Sequence, residues 1–68
     1  MAATTGENIA ALRNRKKWTQ TRLATKAKVC RGTIALWEGG GRMPRHKNLQ
    51  KLAALFGVGV RDIVGERA

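Results

Sequence analysis

The sequence has little of what braces a fold covalently or builds a reaction centre. Its one cysteine, Cys30, excludes an internal disulfide and a cysteine-based zinc site. Its one histidine, His46, has no second imidazole beside which to hold a metal. The acidic residues are only Glu7, Glu38, Asp62 and Glu66, and they are scattered. His46 therefore reads as a surface residue, and no metal or cofactor is expected. Uninterrupted apolar stretches never exceed a few residues, and Met1 to Asn8 has neither a basic flank nor a hydrophobic centre. Neither a membrane span nor a signal peptide is expected, and the chain reads as cytoplasmic. No nucleophile stands beside a base, no carboxylates are paired, and no glycine loop precedes a phosphate-binding lysine. An enzyme with a small-molecule substrate is not expected. Two-residue apolar alternation is missing too, which argues against strands.

What is present in excess is positive charge. Fourteen Lys and Arg in 68 residues give a net charge of +10. Self-repulsion on that scale opposes a compact state and is most simply explained by a polyanionic partner, nucleic acid first and an anionic membrane second. A membrane-active helix would gather its cations on one polar face, whereas here they are spread over several segments. A chain this short encloses no deep cavity while still packing a core, so function is expected on the outer surface of one domain, residues 1–68, ordered over about 6–64.

The apolar residues recur at helical intervals. Thr4 and Glu7 have the spacing of a capping box ahead of Ile9 and Leu12, which predicts a first helix over about 6–16. Thr19 is a natural N-cap for a second helix ending near Ala27. The pattern restarts at Arg31, with Ile34 and Trp37 three apart, and stops at Gly39, Gly40 and Gly41. Pro44 ends the next connection. Leu49, Leu52, Ala53 and Phe56 then mark a fourth helix up to Gly57, and Val58, Val60, Ile63 and Val64 a last short one before a frayed end at Glu66 to Ala68. The expected core is Ile9, Leu12, Trp18, Leu23, Ala24, Ala27, Val29, Ile34, Trp37, Leu49, Leu52, Ala53, Phe56, Val58, Val60 and Ile63.

A helix, a tight turn and a second helix over about 19–38 form the scaffold that lays one helix in a DNA major groove. Thr19-Gln20, Leu23-Ala24, Val29, Thr33-Ile34, Trp37-Glu38-x-Gly40, Pro44 and Leu52-Ala53-x-x-Phe56-Gly57-Val58 fall in order, and together they resemble the phage repressor and Cro-like family, also called the XRE family. The resemblance covers about Ile9 to Val64. It implies a compact all-α, five-helix helix-turn-helix domain of the lambda-repressor-like type that binds double-stranded DNA on the nucleoid, as a repressor and a symmetric homodimer. By the same resemblance Gln20 holds a phosphate from the start of the second helix, and Arg13 pairs with Glu38 inside the protein. Val58, Val60 and Val64 would supply the dimer surface.

Helical periodicity turns Ile34 and Trp37 inward and leaves Arg31, Gly32, Ala35 and Leu36 facing out, with Thr33 beside them. Arg31 has the geometry for guanine O6 and N7, though plain attraction to phosphate accounts for it equally well. Ala35 and Leu36 suit thymine methyl groups, and Thr33 a phosphate or a base edge. Lys16, Lys17, Arg22, Arg42, Arg45 and Lys47 are the candidates for phosphate contact, with Arg22 and Arg42 foremost. The chain departs from the family pattern at Gly32 and Leu36, where polar side chains are usual. Lys28 replaces a customary turn glycine, and Cys30 a Ser or Thr cap. A left-handed Lys28 would cost about 1–2 kcal/mol. Cys30 is expected to cap weakly, and a redox role for it is the lesser reading. The competing function is a protein-interaction or RNA-associated module using the same basic surface.

Overall fold

The computed structural model describes residues 4–65; Met1 to Ala3 and the expected frayed end, Glu66 to Ala68, lie outside the described residues. Five helices follow one another: α1 (Thr5–Arg15), α2 (Gln20–Ala27), α3 (Arg31–Gly39), α4 (His46–Phe56) and α5 (Val60–Val64). Among the described residues there is no strand.

The helix starts follow local side-chain chemistry. Glu7 N donates to Thr4 Oγ1 at 3.1 Å and Thr4 N donates to Glu7 Oε1 at 2.9 Å, a reciprocal capping box. Arg22 N donates to Thr19 Oγ1 at 3.0 Å, which caps α2. At α5 the Gly59 amide donates to Asp62 Oδ2 at 3.0 Å. Cys30, at the head of α3, makes no side-chain cap bond. The thiol is a poor substitute for a Ser or Thr hydroxyl at that position.

The ends of α1 to α4 repeat one device. Lys17, Lys28, Gly40 and Gly57 each take a left-handed backbone. The next amide then reaches back five residues, from Trp18 to Arg13 O at 3.1 Å, Val29 to Ala24 O at 3.0 Å, Gly41 to Leu36 O at 2.9 Å and Val58 to Ala53 O at 3.0 Å. Three of those returning residues, Trp18, Val29 and Val58, pack against the core, the apolar contact that accompanies this kind of helix end. Glycine takes the left-handed backbone freely, but Lys17 and Lys28 each carry strain of about 1–2 kcal/mol.

No helix exceeds 11 residues, shorter than the roughly 12–15 at which an isolated helix holds in water, so packing must stabilise all of them. Each contributes one side chain with no accessible surface: Ile9, Leu23, Ile34, Leu52 and Ile63. Burying each is worth about 1.5–3 kcal/mol. The principal contacts close a ring, α1 to α3, α3 to α2, α2 to α4, α4 to α5 and α5 back to α1. Polar ties fasten it where apolar contact is thin. Asn8 Nδ2 donates to Ile63 O at 2.8 Å, and Lys51 Nζ donates to Ala27 O, at the C-terminus of α2, at 2.8 Å. All sixteen expected core residues lie in the buried cluster or against it, joined by Leu55 and Val64.

Gly6 shows how tightly α1 meets the end of α3. A Cβ there would stand 2.6 Å from Glu38 O and nearer still to Trp37 O, both backbone atoms. On an open helix, alanine gains about 1 kcal/mol over glycine. Here the clash reverses that sign, and Gly6→Ala is expected to lower stability by about 1–3 kcal/mol in urea unfolding. An unchanged or raised midpoint would mean that α1 does not press on those carbonyls.

Candidate nucleic-acid interface

Helix α3 is seated by its inner side and bare along its outer one. Ile34 and Trp37 are buried, while Arg31, Gly32 and Leu36 are exposed and Thr33 and Ala35 half-buried. Leu36 keeps 47% of its surface accessible, high for an aliphatic side chain on a helix that packs against two others.

A polar network holds the two ends of α3. Arg13 Nε donates to Glu38 Oε2 at 2.6 Å and Arg13 Nη2 to Glu38 Oε1 at 3.1 Å, a two-pronged grip with both side chains mostly buried. Arg13 Nη1 donates to Trp18 O at 2.7 Å, so each guanidinium nitrogen is engaged. Gln20 Nε2 donates to Glu38 Oε1 at 3.1 Å, and Arg31 Nη1 donates to Gln20 Oε1 at 3.2 Å. The chain of contacts thus runs from α1 through the end of α3 and the start of α2 to the first residue of α3. Arg13 is taken up by the fold despite belonging to a basic cluster. Gln20, expected to hold a phosphate, is half-buried with both ends of its amide engaged inside the protein; one Nε2 hydrogen is left for an outside acceptor.

The remaining cations fall into groups. Arg42 and Arg45 share a cleft of about 300 Å³ with Thr33, Trp37, Met43 and Asn48, which brings both arginines beside α3. Arg22 shares a surface depression with Thr19, Thr21, Thr25 and Lys26 on α2. Lys26 Nζ lies 4.9 Å from the Trp18 ring centroid and Lys16 Nζ 5.9 Å, both cation–π contacts. Phe56 stacks on the same indole, its ring centroid 6.0 Å from Trp18's. Lys16, Lys17, Arg22, Arg42, Arg45, His46 and Lys47 are all exposed. Opposing charge is committed elsewhere: Glu7 and Asp62 accept from amides at helix starts and Glu38 from Arg13 and Gln20.

Val58, Val60 and Val64 are half-buried and lean on the core. Their helix pairing with α1 leaves a cleft of about 450 Å³ lined by Asn8, Ala11, Leu12, Arg15, Val58 and Asp62. Lys51, which caps α2, escaped the sequence reading; no local signal marks it, because Ala27 O lies 24 residues away in the chain. Met43, 57% exposed between Arg42 and Pro44, was missed as well because it follows no periodic pattern. Among the described residues no three His, Cys, Asp or Glu side chains gather as a metal site, and no helix is long and apolar enough to cross a membrane.

The helix-turn-helix family model matches residues 9–63, and the chain belongs to the helix-turn-helix family. Within it the chain is 38% identical over 63 residues to the immunity repressor protein of Bacillus phage phi105, a match that takes in 93% of this chain and 44% of that repressor. The chain therefore spans less than half the length of this relative. Among solved structures it is similar to the master regulator for biofilm formation SinR in complex with DNA, at a TM-score of 0.84 and 25% identity over 91% of this chain and 100% of that one. It is also similar to the SOS-response transcriptional repressor LexA of Eubacterium rectale, at 0.85 and 25% over 93% and 67%. The all-α helix-turn-helix fold expected from the sequence is the fold these structures share.

The Arg13–Glu38 pair is testable on its own. Glu38→Ala leaves a mostly buried guanidinium without its counter-charge and is expected to cost about 3 kcal/mol in urea unfolding. Arg13→Ala should cost a similar amount and the double variant clearly less than the two added together. Additive losses would mean that the two groups do not act as a pair.

Proposed function

We propose that this chain binds double-stranded DNA by laying α3 in the major groove, and that it serves as a transcriptional repressor. The observation that carries this reading is the bare outer side of α3, which begins at Arg31 and has Arg42 and Arg45 beside it. A helix fits the major groove, base edges are read there, and cations alongside meet the phosphates. The relatives support it: one is a phage immunity repressor and one a regulator solved with DNA. Arg31 reads a guanine edge. Arg22, Arg42, Arg45, Lys47, Lys16 and Lys17 attract the backbone, and the first turn of α2 with Gln20 meets a phosphate. The binding unit is a symmetric homodimer on a palindromic site with half-sites about one DNA turn apart, joined through the α5 edge at Val58, Val60 and Val64. The chain works in the cytoplasm, where the chromosome is.

The test is a titration of duplex DNA and structured RNA over a range of salt. Affinity for duplex should fall with a log–log slope of about −0.9 per phosphate contact, and RNA should bind more weakly throughout. Arg31→Ala is expected to relax preference at one base position, and Arg42→Ala to weaken all sequences alike and flatten the slope by about 1. RNA bound as tightly as DNA would favour an RNA-associated module instead.

A further inference from the structure

The outer side of α3 is unusual in its chemistry. Arg31 is its one long polar side chain; beyond it come Gly32, the half-buried Thr33 and Ala35, and Leu36. Thr33 lines the cleft of Arg42 and Arg45, which turns it toward the phosphate flank. That leaves Gly32, Ala35 and Leu36, which offer no side-chain hydrogen bond to a base.

Two of these residues are hard to explain from within the protein. Gly32 is helical with no left-handed backbone, and a Cβ built on it would meet nothing within 4 Å. Neither conformation nor packing calls for glycine, and alanine would make a better helix. The clearance serves something that approaches from outside. Leu36 holds nearly half its surface in water, and its Cδ2 rests over Gly41, where a Cβ would come within 3.1 Å. The leucine is therefore held in position along the outer side rather than folded into the core.

We infer that this helix reads thymine by its 5-methyl group, with Ala35 and Leu36 making the contact and Gly32 letting the base edges come close to the helix backbone. The inference rests on the proposed binding of α3 in the major groove. In that groove the thymine methyl is the one apolar feature a base pair presents. One turn of α3 advances about 5.4 Å. Successive base pairs are about 3.4 Å apart. Leu36 and Ala35, one turn beyond Gly32 and Arg31, therefore meet thymines within about two base pairs of the guanine that Arg31 reads.

The experiment selects tight-binding duplexes from a random pool with the intact chain, then resynthesises the best one with uracil replacing thymine at single positions. Uracil keeps every hydrogen-bonding edge and lacks only the methyl. At one or two positions beside the guanine, uracil should weaken binding about threefold to tenfold, in line with the loss of one buried methyl. Leu36→Ala, at a site 47% exposed, should narrow the difference between the thymine and uracil duplexes to what Ala35 alone supplies while keeping its thermal midpoint. Gly32→Ala should raise the thermal midpoint and weaken binding at least threefold. Equal affinity of the unaltered chain for thymine and uracil duplexes, or undiminished binding by Gly32→Ala, overturns the inference and leaves DNA binding intact. Failure to bind any duplex at low salt overturns the proposed function itself.

Discussion

The carboxylate of Glu38 is the point on which the arrangement of this molecule turns. It belongs to α3, it is gripped twice by Arg13 of α1, and it accepts from Gln20 of α2. A mostly buried ion pair adds little net stability, because desolvation offsets much of the attraction. Its effect is geometric: the pair is satisfied in one mutual orientation of three helices. Hydrophobic burial by itself would tolerate sliding, since Ile9, Leu23 and Ile34 are near-equivalent aliphatic contacts. The close approach of Gly6 to the Trp37 and Glu38 carbonyls removes what freedom remains, as α1 rests directly on the backbone at the end of α3. Orientation then passes along to the working end, because Gln20, held by Glu38, in turn holds Arg31.

Electrostatics divides the cations into those the fold uses and those it leaves free. Arg13 is spent on Glu38 and Lys51 on the end of α2, while Lys16 and Lys26 rest on Trp18 with their ammonium groups still open to an outside anion. Arg42 and Arg45 remain beside α3, and Arg31 at its head is held only by the neutral Gln20, with no free carboxylate among the described residues to screen them. Part of the sequence's surplus of positive charge thus lies beside the exposed residues of α3. The strain at the left-handed Lys17 and Lys28 fits the same picture, since glycine there would relieve the backbone and remove two charges.

The helices were legible because each is bounded by local chemistry: Thr4 with Glu7, Thr19, Gly40, Pro44 and Gly57 all act within a few residues of themselves. The buried set was legible because Ile34 with Trp37, and Leu49 with Leu52, Ala53 and Phe56, recur at the helical interval. The pairing of Arg13 with Glu38 was reached through family resemblance, because nothing in the spacing of two residues 25 apart reveals it. What stayed hidden depends on distant backbone. Gly6 reads as an ordinary glycine until α3 is laid against it, and Lys51 as one more surface cation until Ala27 O is placed beside it. Gln20 was expected to hold a phosphate, and that its amide also joins Glu38 and Arg31 was not legible, because only the folded chain brings the three together. Lys17 gave no signal at all, since this left-handed residue lies just past an otherwise regular helix end.

The central claim is that α3, fixed from behind by Glu38, Ile34 and Trp37, presents its outer side to duplex DNA. Amide resonances followed by NMR while duplex is added at low ionic strength test it most directly. The account predicts that the amides from Arg31 to Leu36, with those at the start of α2, shift most. Resonances from Arg31 to Leu36 that stay in place as duplex binds would contradict it.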